Sequence, residues 1–137
     1  MLLKDKTVII TGGSRGIGRA IALALGKAGA NIVVNYTRDA DAAENVRSLI
    51  EVEGGRAITI KADVADFSAC EELVKGAIDH FKRIDILINN AGITRDTLLI
   101  RMKPEEWQAV LDTNLTGVYN CCRAVLKPML KQKSAGR

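Results

Sequence analysis

The stretch Thr7–Gly29, TVIITGGSRGIGRAIALALGKAG, constrains the fold of this chain more than any other. Val8, Ile9 and Ile10 make a short β-branched apolar run, which suits a strand buried on both faces of a parallel sheet. Gly12, Gly13, Gly16 and Gly18 follow at once. Ile17, Ile21, Ala24, Leu25 and Ala28 then recur at helical spacing, and Gly29 stands where a helix ends. The order is strand, glycine turn, helix. Such a turn needs glycine where the backbone takes positive φ, or where a ligand lies against main chain with no Cβ between them. The free N–H groups at the helix start carry partial positive charge and suit a pyrophosphate.

Two other glycine-loop patterns do not fit. A triphosphate-binding loop requires Lys and then Ser or Thr after its last glycine, whereas Gly18 is followed by Arg19 and Ala20. The G-x-G-x-x-G dinucleotide pattern is not matched in its usual register either, because the glycines read Thr11-Gly12-x-x-x-Gly16-x-Gly18.

The rest of the chain supports a single folded unit. A domain of 137 residues buries roughly two-thirds of its unfolded surface, enough for a real core. Hydrophobic residues at 47% and charged residues at 26% lie near globular averages, which indicates neither a disordered nor a fibrous class. No apolar run approaches the ~20 residues of a membrane span. The start, MLLKDKTVII, lacks a signal peptide's apolar region and cleavage site, so a cytoplasmic location is expected. Cys70, Cys121 and Cys122 are odd in number and lack metal or C-x-x-C spacing, so reduced thiols serving as small packing residues are expected. A net charge of +4, without a long basic run or interleaved aromatics, points to neither nucleic acid nor membrane as a partner.

After the first unit, Asn31 to Asn35 reads as a second buried strand, and Thr37 to Asp41 turns it. A helix from about Ala42 to Glu53 follows with Val46, Leu49 and Ile50 inward, and Gly54-Gly55 stops it. Arg56 to Ala62 is the third strand, closed by Asp63-Val64. Asp66 is placed to cap a helix whose Cys70, Leu73, Val74, Ala77, Ile78 and Phe81 share one face. Strand four is Ile84 to Ile88, ended by Asn89-Asn90-Ala91-Gly92. A polar loop leads to Pro104, at the first turn of one long helix reaching about Leu130, with a kink expected at Pro128. Trp107 reads as core packing, and His80 as a surface residue near a helix end. Strand and helix alternating in this way predict an α/β fold, a parallel sheet with helices on both faces. Ligands bind such sheets beyond the carboxyl ends of the strands, where the glycine turn, Asn35 to Arg38, Asp63-Val64 and Asn89 to Gly92 all fall.

Thr11-Gly12-Gly13-Ser14-Arg15-Gly16-Ile17-Gly18, Asp63-Val64, Asn89-Asn90-Ala91-Gly92 and Asn114, in this order and at these distances, resemble the N-terminal half of a short-chain dehydrogenase/reductase. The resemblance covers residues 1–137 and implies one dinucleotide-binding half-domain, a Rossmann-type three-layer sandwich whose parallel sheet has strand order 3-2-1-4. It implies that Gly12, Ser14, Arg15, Gly16, Ile17 and Gly18 hold the pyrophosphate and that Asp63 and Val64 flank the adenine. It also implies that Asn89, Ala91 and Gly92 line the adenosine ribose, and that Asn114 is catalytic, ordering a proton-relay water. Within the family, Gly92-Ile93-Thr94-Arg95-Asp96, Met102-Lys103 and Glu106-Trp107 most resemble the reductases of 3-oxoacyl groups borne on acyl carrier protein in fatty acid synthesis.

Cofactor choice follows from charge. An NAD site places a carboxylate after the second strand, where it accepts from the ribose 2′-hydroxyl and repels a 2′-phosphate. Here that place reads Asn35-Tyr36-Thr37-Arg38, so Arg38 and Arg15 favour NADP(H), although a shifted strand end would bring Asp39 to the ribose. The family's catalytic Ser and Tyr-x-x-x-Lys have no counterpart, since Tyr36 and Tyr119 are followed four residues on by Ala40 and Arg123. The chain stops at Ser134-Ala135-Gly136-Arg137, about where the family's fifth strand begins. Little reductase activity is therefore expected of these residues by themselves. The alternative readings are a non-catalytic NADP(H)-binding or assembly module, or half of a reductase for another carbonyl substrate.

A strand-four edge of Ile84, Ile86, Leu87 and Ile88 invites pairing. The long helix carries Trp107, Leu111, Leu115, Val118, Cys122, Val125 and Met129 and makes subunit contacts in the family, so a homodimer or tetramer is expected. Lys127, Lys131, Lys133 and Arg137 form a basic cluster that reads first as a solvated helix end with favourable dipole placement, and otherwise as charge complementary to an acidic acyl carrier protein.

Overall fold

Four parallel strands carry the structure, a computed structural model that describes residues 1–137. In chain order they are β1 (Thr7–Ile10), α1 (Gly16–Lys27), β2 (Asn31–Tyr36), α2 (Ala40–Val52), β3 (Arg56–Lys61), α3 (Phe67–Phe81) and β4 (Ile86–Ile88). A 3-10 turn (Leu99–Arg101), α4 (Pro104–Leu111), a π-helical turn (Asp112–Thr116) and α5 (Gly117–Gln132) follow. The sheet order is β3-β2-β1-β4, as the resemblance implies. No helix is long and apolar enough to cross a membrane.

The β-branched run of β1 explains the three layers. Side chains alternate along a strand, so Val8 and Ile10 face one way with Ile32 and Val34 of β2, against Ala22 of α1 and Ala43, Val46 and Ile50 of α2. Ile9 and Val33 face the other way, against Leu73, Val74, Ala77 and Phe81 of α3 and Val125 of α5. Burying each such aliphatic side chain contributes about 1.5–3 kcal/mol, so the strand at the centre of both layers anchors the fold.

Several sequence expectations need correction. The fully buried residues of α1 are Gly18, Ala22 and Gly26, and Ile21 and Leu25 pack partly buried against the core as their spacing predicts, while Ile17 is 74% exposed and Ala24 is exposed as well. Small residues win because α1 lies too close for larger ones; a Cβ at Gly26 would meet Ile50 Cγ2 at 3.1 Å. Ala43, Val46 and Ile50 face inward from α2, and Leu49, one position round the turn, is exposed. Trp107 is 57% exposed rather than core packing. The long helix from Pro104 is present without a break in the helical backbone, but the π-helical turn at Asp112–Thr116 inserts an extra residue within it and shifts the helical phase between α4 and α5. α5 runs on through Pro128. Cys121 is buried beside Cys70, with Sγ atoms 3.6 Å apart, whereas Cys122 is exposed.

Asp66 caps α3, accepting hydrogen bonds from the amides of Ser68 (2.9 Å) and Ala69 (3.4 Å). Strand β4 is short, and polar contacts fix its ends. Gln132 of α5 donates to the Ile84 carbonyl at 2.8 Å and accepts from the Ile84 amide at 2.7 Å. At its outer edge the Leu87 amide donates to the Arg137 carbonyl (2.8 Å) and the Arg137 amide to the Asp85 carbonyl (2.9 Å), so main chain already pairs along part of that edge. Asp85, buried beside the start of β1, accepts from the Thr7 amide at 2.9 Å and from Arg83 Nε at 2.8 Å and Nη2 at 2.6 Å.

Burial raises the Asp85 carboxyl, but the hydrogen bonds from Arg83 and Thr7 more than offset this, and it titrates below its ordinary value. Its stabilisation is therefore present above the unfolded carboxyl's pKa, about 4, and is lost as pH falls through the folded value. Asp85→Ala is expected to lower stability at pH 7 by about 1–3 kcal/mol, with a smaller gap to the unsubstituted chain at pH 3. Urea unfolding at the two pH values checks this, and an equal gap at both would rule out the carboxylate's charge as the cause.

Candidate functional site

A cavity of about 630 Å³ opens beyond the carboxyl ends of the strands. Its walls come from the glycine turn after β1 (Gly12, Ser14, Arg15), from Asn35–Asp39 after β2, from Asp63–Ala65 after β3 and from Ala91–Ile93 after β4. Ala109, Asp112 and Thr113 close the far side. The volume suits a small molecule or cofactor.

The glycine turn is held by side chains of its neighbours. Asn35, buried at the end of β2, accepts from the Gly12 amide at 3.2 Å and donates to the carbonyls of Ile60 (3.2 Å) and Ala62 (3.1 Å). One amide side chain thus ties the turn to the end of β3. The Asn35 carbonyl also accepts from the Gly13 amide at 2.9 Å. On the other side, Thr11 Oγ1 accepts from the amides of Asn90 and Ala91, both at 3.0 Å, and Asn90 Nδ2 donates to the Gly12 carbonyl at 2.9 Å. The turn is therefore braced to both neighbouring strands.

Glycine is required here for two distinct reasons. At Gly18 a Cβ would collide with the Gly12 carbonyl oxygen and with Asn90 Nδ2, so only glycine lets α1 start this close to β1. At Gly16 φ is +52° and a Cβ would meet no atom within 4 Å, so the turn leaves open space over the helix start. The first amides of a helix have no intrahelical acceptors. Arg15, at the N-cap, offers no side-chain hydrogen bond to them, and the first turn holds no acidic residue. An anionic group such as a pyrophosphate fits there, with donors and room both provided.

Of the residues singled out from sequence, Gly12, Ser14, Arg15, Arg38, Asp63, Val64, Ala91 and Gly92 line this one cavity. Gly16, Ile17 and Gly18 form the helix start beside it. Asp63 accepts from the Ala65 amide at 3.0 Å, turning the chain after β3. The Val64 carbonyl accepts from Asn120 Nδ2 at 2.9 Å and from the Cys70 thiol at 3.4 Å, so α3 and α5 together fix this wall. Asn89 does not line the cavity. Successive side chains of an extended segment point opposite ways, and Asn89 points at α5, donating to Cys122 Sγ at 3.5 Å. Asn114 lies in the π-helical turn, where its Oδ1 accepts from the Ile93 amide at 2.8 Å and its Nδ2 donates to the Ile93 carbonyl at 3.0 Å. Its side chain clamps the segment after β4.

Thr11, Asn35 and Asn90, named from sequence only as parts of longer motifs, and Asn120, not named there, also hold the site. Each is a polar residue inside or closing an apolar run, which is the sequence signal that could have found them. Charge on the cavity wall is balanced, with Arg15, Arg38 and Arg95 against Asp39, Asp63 and Asp112. Arg15 Nη2 donates to Asp39 Oδ2 across the rim. Asp39 also caps α2, and the Ala42 amide, followed by Arg15, holds its carboxyl below the ordinary value.

A parallel sheet with helices on both faces, an uncapped helix start at a glycine turn and a cavity across four strand ends define a nucleotide-binding α/β domain. More narrowly, the short chain dehydrogenase family matches residues 6–137, and the chain belongs to that family. It is 54% identical over 132 residues to a 3-oxoacyl-[acyl-carrier-protein] reductase of Synechocystis sp., covering 96% of this chain and 53% of the relative. It is 47% identical over 130 residues to the reductase of that name from Staphylococcus epidermidis, covering 95% and 53% respectively. The fold is similar to the crystal structure of a short chain dehydrogenase from Burkholderia cenocepacia in complex with NADP. The TM-score is 0.90 and the identity 38%, over 93% of this chain and 52% of the other. The chain spans about half the length of the curated relatives it matches.

Asn35→Ala removes three hydrogen bonds and leaves buried main-chain groups unpaired. A loss of about 1–3 kcal/mol is expected. Denaturant midpoints check this, and an unchanged midpoint would mean that Asn35 does not hold the turn.

Proposed function

We propose that these residues bind NADPH and form the cofactor-holding part of an oxidoreductase. The reaction is reduction of 3-oxoacyl-[acyl-carrier-protein] to the 3-hydroxyacyl form in fatty acid synthesis. The observation that carries the cofactor reading is the placement of Arg15 and Arg38 on the cavity wall beside the end of β2, where Asn35, Tyr36 and Thr37 supply no carboxylate. Guanidinium groups there suit a 2′-phosphate through charge-assisted hydrogen bonds. The NADP complex of the Burkholderia protein supports the same reading, and the names of the Synechocystis and Staphylococcus relatives support the substrate.

In this reading the start of α1 takes the pyrophosphate, Asp63 and Val64 flank the adenine, and Ala91 and Gly92 border the ribose. Bound NADPH supplies a hydride for the substrate carbonyl. Asn114, through Ile93, fixes the main chain that leads away from β4. No Tyr here is followed by Lys at the fourth position, so the residues described contribute cofactor binding and positioning. Exposed Leu115, Tyr119, Leu126 and Leu130 recur at helical spacing along α5 and the turn before it, which supports self-association into a homodimer or tetramer. Lys127, Lys131, Lys133 and Arg137 supply positive charge for an acidic acyl carrier protein.

Calorimetric titration of the chain tests the cofactor reading. The double substitution Arg15→Ala with Arg38→Ala is expected to weaken NADPH binding by about tenfold or more, leaving NADH affinity nearly unchanged. An unchanged NADPH to NADH ratio would refute it. For the substrate, an enzyme carrying these residues is expected to oxidise NADPH faster with a 3-oxoacyl thioester of acyl carrier protein than with sugar, steroid or quinone carbonyls.

A further inference from the structure

The peptide that joins Val64 to Ala65 is held at both ends. Its carbonyl, on Val64, accepts from Asn120 Nδ2 at 2.9 Å and from the Cys70 thiol at 3.4 Å. Its amide, on Ala65, donates to Asp63 Oδ1 at 3.0 Å. Val64 is buried in an apolar cluster with Cys70 and Cys121, where a carbonyl needs a donor. A thiol is a weak one, so the strong donor is Asn120. Asn120 is only 4% exposed and comes from α5, 56 positions further along the chain. Asn is a poor helix former, and this bond is the side-chain reason for its place inside α5. Asp63 and Val64 line the cavity, whereas Asn120 does not. Asp63 Oδ2 and the Val64 amide make no hydrogen bond within the protein, which leaves an acceptor and a donor one residue apart on the cavity wall.

We infer that Asn120 is a positioning residue for the base of the cofactor, acting from behind the wall through the Val64–Ala65 peptide. The inference rests on the reading that Asp63 and Val64 flank the adenine. By holding the Val64 carbonyl, Asn120 sets the plane of a peptide whose other end, the Ala65 amide, orients the Asp63 carboxylate. The free carboxylate oxygen and the Val64 amide are thereby kept in one arrangement. Adenine matches such a pair, because its 6-amino group donates and its N1 accepts. Hypoxanthine carries the reverse, a 6-oxo acceptor and an N1 donor. Without Nδ2 the carbonyl retains only the thiol, and the peptide turns toward another donor. The Ala65 amide then leaves Asp63 Oδ1, and the carboxylate loses its fixed orientation. The loss falls on base recognition. The start of α1 is braced separately by Thr11, Asn35 and Asn90, so the pyrophosphate end is untouched.

Base discrimination separates this role from a merely structural one. Asn120→Leu removes the donor and keeps the branching of the side chain. Calorimetric titration of the 137-residue chain and this variant compares NADPH with its analogue in which hypoxanthine replaces adenine, and needs no turnover. The parent is expected to bind NADPH more tightly than the analogue. In the variant NADPH binding is expected to weaken on the order of threefold to tenfold and analogue binding by less than about twofold, so that the ratio shrinks. Amide spectra of the parent decide the case independently of the variant's folding. The side-chain amide resonances of Asn120 are expected to move when adenosine 2′,5′-bisphosphate saturates the chain, and to move much less with the inosine counterpart. An unchanged ratio in a variant that melts cooperatively, or Asn120 resonances unmoved by the saturating adenosine ligand, would overturn the inference. The parent's preference for NADPH over the analogue would then leave the cofactor reading standing. If the parent binds neither ligand, the cofactor reading fails, and the role of Asn120 fails with it.

Discussion

The closeness with which α1 begins against the ends of β1 and β4 governs the rest of the site. At Gly18 there is no room for even one carbon atom between the helix, the Gly12 carbonyl and the Asn90 amide. That approach brings the uncapped amides of α1 to the mouth of the cavity, and it lets Asn90 and Thr11 bind the turn from one side while Asn35 binds it from the other. The turn is over-determined by these bonds, which is how a backbone with positive φ at Gly12 and Gly16 keeps one shape. The apolar layers above and below β1 supply the stability on which this polar lattice rests.

Charge then decides what the cavity prefers. Its wall carries as many formal positive as negative groups, so no net field selects an anion. In the proposed reading selection depends on local placement instead, with donors at the helix start for a diphosphate and the guanidinium groups of Arg15 and Arg38 beside the end of β2 for a further phosphate. The ion pair between Arg15 and Asp39 shows that such placement is a compromise, because the carboxylate that caps α2 also competes for the arginine.

The strands were legible because β-branched runs such as Val8–Ile10 are dense and short, and the strand order followed from the family resemblance. The cap at Asp66 and the inner face of α3 were legible from residue type and spacing. What was not legible depended on distances between elements. The fully buried residues of α1 are Gly18, Ala22 and Gly26, which periodicity scales score as weak, because close packing rather than hydrophobicity selects them. The π-helical turn is invisible to a helical period, since the clamp of Asn114 on Ile93 is a contact between residues 21 positions apart. Asn89 and Asn90 are adjacent and alike in type, yet one points at α5 and the other at the glycine turn. Only the pairing of β4 with β1 tells them apart.

In the proposed function a dinucleotide's phosphates lie at the helix start after the glycine turn. Amide nitrogen–proton correlation spectra of the labelled chain, recorded while NADPH is added, test it directly. Saturable shifts concentrated in the amides of Ser14 to Ile17 are expected, with smaller ones at Val64, Ala91 and Gly92. Saturable binding whose shifts leave Ser14 to Ile17 unmoved and gather elsewhere on the sheet or on α5 would contradict it.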